Sequence, residues 1–428
     1  MSMILIITTL TLILTIILLI MNKVPLSAIG LLIISILTIG GVISSKQAFA
    51  RLSDNSVILV VGVFIIGKAF FKVGLTDQIG AQLVRMTVRF RHMESLVIFC
   101  IMLIAAALSS VLSSLGVQVA LMSLVLSLAE VMKLNKSRAL MGLAYASSIG
   151  GTMTLLGTPL NLVGKAAYEA AVPGDTIGIF HISCLGVPIG LICIVLFAFV
   201  TSRFLPERTD AVPERSEAFG GQEQQRGFHG KQGITLAVFV GFILLVALDG
   251  KTPVPANIAT ALAILILGAA HVMEAEEMFG CIKWDVIIFV VGMITLSDAV
   301  SAAGIGDILT VFMQEHLSGL QDPTAIMMIM VAVLLVLTQA MGNSGAFGIV
   351  LPIATAIAQG MGISLKPMIM ALTFAASCAF ATPLATQSYP MIAAEGRLKF
   401  SDWLIQGVPM VVISFLGIWL IVPHIWPL

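Results

Sequence analysis

Apolar residues fall in runs of about 20 along this chain, at 3 to 21, 25 to 44, 56 to 71, 176 to 201, 235 to 249, 255 to 272, 286 to 297 and 404 to 423. Runs of that length predict membrane-spanning helices, since a helix rises about 1.5 Å per residue and the hydrocarbon layer is about 30 Å thick. Small polar residues, glycine and proline interrupt the apolar pattern at four other places. These are Ser113-Ser114-Leu115-Gly116, Gly150-Gly151-Thr152 through Gly157-Thr158-Pro159, Gly342-Asn343-Ser344-Gly345, and Ala381-Thr382-Pro383 through Thr386-Gln387-Ser388. The long polar stretch from Arg203 to Lys231 reads as a flexible linker between two halves.

Composition turns the pattern into a solvent assignment. The 428 residues are 59% hydrophobic and 10% charged, against about a quarter charged in soluble domains. In a bilayer the backbone must satisfy itself, so an all-α polytopic bundle is expected. Zero net charge and no basic stripe argue against nucleic acid as a partner. No basic residue precedes the first apolar run and no small-residue cleavage pattern follows it, so it is expected to stay as a helix. The five cysteines fit no disulfide or zinc framework and read as packing residues, and the six histidines are scattered without metal-ligand spacing.

Internal comparison finds two copies of one unit. Asn55 onward aligns with Asp285 onward at offset 230, with Gly62/Gly292, Gly74/Gly304 and Asp77/Asp307 among the identities. Leu108 onward aligns with Leu337 at offset 229, and Thr154 onward with Thr382 at offset 228. Repeats are thus expected over 1–202 and 232–428, joined by the linker 203–231. Each holds a re-entrant hairpin (about 95–133 and 322–360) and a broken helix (about 139–165 and 366–392). Five crossings per copy, an odd number, would turn the second copy upside down. Counting basic residues favours both termini outside and the linker in the cytoplasm of a cell's inner membrane, with fifteen inside against five outside.

Interrupted helices at membrane depth survive only when buried in protein or lining a cavity, which makes the four breaks the candidate site. Their N–H ends each carry roughly half a positive charge, so four could offset on the order of two negative charges. Free carbonyls with Ser, Thr and Asn oxygens suit sodium. A small anion with sodium therefore fits without Arg or Lys, and Ser113, Ser114, Gly157, Thr158, Asn343, Ser344, Thr382 and Thr386 are the expected contacts. Lys68 and Asp298 are intramembrane charges at equivalent positions and are expected to pair across the repeats. Gly304-Ile305-Gly306-Asp307 matches a Gly-x-Gly-Asp string of intramembrane proteases but reads as a helix start after a turn. No nucleophile–base or metal constellation supports a membrane-embedded enzyme. Residues 76–92 and 305–318 are mildly amphipathic and expected to lie along the interface.

The runs 147–161, 284–309 and 343–358 resemble the divalent anion:sodium symporter family of the ion transporter superfamily, and the likeness covers nearly the whole chain. The resemblance implies a homodimeric carrier of sulfate or a di- or tricarboxylate, working by alternating access with no cofactor beyond the coupling sodium. It places sodium at Ser113, Ser114, Gly157, Asn343, Ser344, Ala381 and Thr382, and substrate at Ser114, Thr158, Pro159, Asn161, Asn343, Ser344 and Thr386. The family has Ser-Asn-Thr at each hairpin tip; Gly342-Asn343-Ser344 is close to it and Ser113-Ser114-Leu115 departs from it. Arsenite permeases and sodium/proton antiporters of the same superfamily remain open as alternatives.

Overall fold

The computed structural model describes residues 3–21, 23–76, 78, 93–206, 229–248, 252–305, 322–383, 385–386 and 388–427. The expected linker 203–231 and the expected interfacial segments 76–92 and 305–318 lie for the most part outside the described residues, as do Asp77 and Asp307. What is described is helical, with no strand.

The first half holds α1 (Met3–Met21), α2 (Leu26–Ile39), α3 (Ser45–Ala50), α4 (Asn55–Lys72), α5 (Glu94–Ser109), α6 (Ser114–Met132), α7 (Lys136–Gly151), α8 (Pro159–Ala171) and α9 (Ser183–Phe199). The second holds α10 (His229–Ala247), α11 (Ala256–Ala269), α12 (Ala275–Gly280), α13 (Trp284–Ala302), α14 (Pro323–Met341), α15 (Asn343–Met361), α16 (Leu365–Ala376), α17 (Tyr389–Glu395) and α18 (Phe400–Ile425). Among the described residues, seven helical stretches are long and apolar enough to cross a membrane.

The correspondence begins earlier than the alignment from Asn55. α2 and α11 are both 14 residues long and follow Pro25 and Pro255, while α3 and α12 are both six. Proline suits a helix start because its missing N–H is one the helix could not use there. The packing is exchanged between halves: α13 lies on α2, and α4 lies on α11. Both contacts cross at small residues. A Cβ on Gly30 would sit 2.4 Å from Ile288 O, one on Gly292 2.5 Å from Gly30 Cα, and one on Gly62 2.3 Å from Thr260 Cγ2. Without a hydrophobic drive between helices in lipid, such close approach supplies the dispersion that holds them.

Two ion pairs fix how α4 and α13 run. Arg51, just before α4, donates from Nε and Nη2 to Asp298 Oδ2 near the end of α13, at 3.1 and 2.6 Å. Glu277, ahead of α13, accepts from Lys72 Nζ at the end of α4, at 2.6 Å. The two helices are therefore antiparallel. This corrects the expected Lys68–Asp298 pair: equivalent positions late in antiparallel helices lie at opposite ends, so Asp298 meets Arg51 and Lys68 stays exposed. Arg51→Asp or Asp298→Arg alone should lower the melting temperature, and the double reversal should recover it. The coupling should be about 1 kcal/mol, because the side chains are 31% and 30% exposed; a double variant no better than the singles would argue against the pair.

The broken helices are held from behind by the last helix of each half. A Cβ on Gly186 of α9 would lie 2.0 Å from Thr152 O, and one on Gly407 of α18 would lie 2.1 Å from Phe380 O. Each of these glycines is followed by Val-Pro, at Val187-Pro188 and Val408-Pro409. The halves also meet where Gly164 of α8 packs on Thr373 of α16. Beyond α8, Asp175 Oδ2 accepts from Tyr168 Oη at 2.6 Å and from Lys366 Nζ at 3.1 Å. Those two bonds, the tyrosine's foremost, with a third from Thr176 N–H, bring its carboxyl down to about 2.

Candidate transport site

Each hairpin tip is a turn between two apolar helices. α14 ends at Met341 and α15 begins at Asn343, and the one residue between them, Gly342, has φ +83°, a conformation open to glycine and strained for other residues. In the first half α6 starts after Ser113. Neither Ser113 nor Gly342 caps its helix with a side chain, so the first-turn N–H groups of α6 and α15 keep their donors for other partners.

One buried hydroxyl at the end of the preceding helix ties each tip to the broken helix of its own half. Ser109 Oγ lies 2.9 Å from Ser114 Oγ and donates to Ser147 O at 2.5 Å. Thr338 Oγ1 lies 2.9 Å from Asn343 Oδ1 and 3.1 Å from Ala376 O. All three members of one set stand at offset 229 from the other: 109 and 338, 114 and 343, 147 and 376. A second tie repeats likewise, from Thr154 Oγ1 to Ser110 O and from Thr382 Oγ1 to Gln339 O. Gln339 further holds the second break, accepting from Ala381 N at 2.8 Å and donating to Cys378 O at 3.1 Å.

Tips and breaks meet around one cavity of about 790 Å³. Of the residues singled out from sequence, Ser113, Ser114, Thr158, Pro159, Asn343, Ser344 and Thr386 line it. Gly157 lies at a smaller adjoining void and backs onto Gly151. Asn161, Ala381 and Thr382 do not line the cavity. Asn161 is fully buried, and its amide donates to Gly151 O and Thr154 O at 2.8 Å each, so it holds the first break in shape. Ala381 and Thr382 are engaged by Gln339. Sequence reading missed Ser109 and Thr338, together with the cavity-lining Ser148 and Ser377. Ser148 Oγ accepts from Tyr389 Oη at 2.9 Å, across the two halves.

Helix ends of both signs reach the cavity: N–H ends that can meet an anion, and the carbonyl ends at Gly151 and Ser377 that can meet a cation. Thr158 caps α8, accepting from Leu160 N at 3.3 Å, with Pro159 in the first turn. The first turns of α6, α8 and α15 all face the cavity, and three such ends amount to roughly +1.5 elementary charges.

The citrate transporter family model, CitMHS, matches residues 16–375. The chain belongs to that family. The uncharacterized transporter YfbS of Escherichia coli K12 is 31% identical over 189 residues, covering 43% of this chain and 30% of the relative. The uncharacterized transporter sll0640 of Synechocystis is 27% identical over 186 residues, with the same two shares. The matched part of this CitMHS member thus spans under a third of those relatives' length. The sodium-dependent dicarboxylate transporter SdcS of Staphylococcus saprophyticus is 20% identical over 448 residues, covering 95% of this chain and 83% of that one. Among solved structures, the Alcanivorax borkumensis YdaH transporter superposes with a TM-score of 0.63 at 15% identity, covering 89% of this chain and 88% of that one, which is a likeness of fold. The resemblance to divalent anion:sodium symporters read from the sequence agrees with these matches. The chain is a multi-pass membrane protein of a transporter family.

Proposed function

We propose that this CitMHS member is a secondary active carrier of a small divalent anion, of the dicarboxylate, tricarboxylate or sulfate class, driven by sodium. In this reading the halves are inverted repeats, the hairpins re-enter an inner membrane, and a homodimer works by alternating access. One observation carries it: three helix N-termini converge on a single cavity, two of them beside oxygen clusters repeated at offset 229. Anion charge is met there by peptide dipoles. At the second tip, with the Asn343 amide as oriented here, Thr338 Oγ1, Asn343 Oδ1 and Ala376 O share one hydroxyl proton, an oxygen set suited to a hard cation. The antiparallel α4 and α13 support the inversion.

A second reading, proton coupling in one half, is favoured by the first tip, where Ser113-Ser114-Leu115 offers no amide oxygen. Uptake of succinate, citrate and sulfate into proteoliposomes, with and without an inward sodium gradient, tests both. Sodium-stimulated uptake of at least one of them is expected. Uptake indifferent to sodium and driven by a pH gradient would replace the first reading with the second.

A further inference from the structure

The dipoles described so far account for charge at the floor of the cavity, and its rim holds something they do not explain. Among the described residues, only two of the side chains lining the cavity are ionic, Lys283 and Asp285, both where α13 begins. Asp285 has a structural role. Its Oδ1 accepts from Ser27 N at 2.8 Å, tying the starts of α2 and α13 together, and a carboxylate in a first turn suits the helix dipole.

Lys283 has neither advantage. It stands immediately before α13, where a cation opposes the dipole, and no carboxylate among the described residues lies within ion-pair distance of it. Its counterpart at offset 230 is Ser53, so the cation is not a feature of the repeated unit. A cation on the wall of a cleft with low-dielectric sides focuses field into it and concentrates counter-ions there.

We propose that Lys283 is a specificity-determining residue of the cavity: it draws a doubly charged anion to the mouth, and favours it over a singly charged one, on the face where α2 and α13 begin. The proposal rests on the anion reading above. A basic residue that only anchors topology would leave substrate affinity unchanged.

The test uses the full chain reconstituted as wild type, Lys283→Gln, Lys283→Met and Lys283→Arg. Initial rates are measured for succinate, with sulfate as a second dianion and succinamate as a monoanion, in right-side-out and inverted vesicles at low and high salt. Both neutral variants should raise KM for the dianion about tenfold on one face of the membrane, leave the maximal rate unchanged, and flatten its salt dependence. KM for the monoanion should move less, and Lys283→Arg should behave as wild type. Monodisperse variants with wild-type KM and salt dependence on both faces would overturn the role of Lys283 while the anion reading stands. Wild-type vesicles that take up neither dianion nor citrate would overturn the anion reading, and this proposal with it.

Discussion

Gly407→Ala should leave the protein in the membrane but remove most of its transport. The added methyl would lie 2.1 Å from Phe380 O and 2.3 Å from Phe380 C, contacts that backbone cannot relieve by a rotamer change. Either α18 moves out or the second break moves in. Overpacking of this kind costs about 1–3 kcal/mol, and the displaced segment carries Thr382, Ala385 and Thr386 toward or away from the tip at Gly342. A fall in uptake of about tenfold or more is expected, with a lower melting temperature in detergent. Gly186→Ala should do the same to the first break, where the contact is 2.0 Å from Thr152 O. Gly241→Ala is the control: its Cβ would meet nothing within 4 Å, and alanine gains up to about 1 kcal/mol in a helix. Wild-type uptake by both break variants would mean that these glycines do not set the shape of the breaks.

Asn343→Ala should abolish uptake with little effect on folding, because the side chain stands at the cavity while the turn itself is made by Gly342. The amide is held by Thr338, which also meets the broken helix at Ala376 O. Losing a polar contact to a charged solute removes about 1.5–3 kcal/mol, roughly ten- to a hundredfold in affinity. Thr338→Ser keeps the hydroxyl and should keep transport, whereas Thr338→Val should resemble Asn343→Ala. Sodium activation curves report the difference: if Asn343 holds sodium, its loss raises the sodium concentration needed for half-maximal uptake. Unchanged uptake by Asn343→Ala would take the second tip out of the site.

Much of this arrangement is legible in the sequence. Glycine, proline and small hydroxyl residues inside apolar runs have few roles other than interruption, and the interruptions at Ser113, Thr158, Asn343 and Thr386 do gather at one cavity. Offsets near 230 locate the paired elements from α4 and α13 onward. The Gly-Val-Pro strings at 186 and 407 escape that comparison because they stand at offset 221, the second half being shorter between its break and its last helix, in part because α17 has seven residues where α8 has 13. Ser109 and Thr338 are hidden for a different reason. Many buried hydroxyls here, such as Thr15, Thr260, Thr295 and Thr355, bond the carbonyl four residues back in their own helix. Sequence cannot separate those from the two that reach across. The expectation for Lys68 and Asp298 failed because equivalence in an alignment is not proximity when the paired helices point opposite ways.

The exchange of α4 and α13 between halves bears on how the polypeptide is made. Ser27 meets Asp285 only after 258 further residues have been synthesised, and Gly62 waits likewise for Thr260. During biogenesis the early segments must linger in the insertion machinery or in lipid without their final neighbours. A ribosome stalled at the linker would release a product with two vacant seams, a natural substrate for membrane quality control.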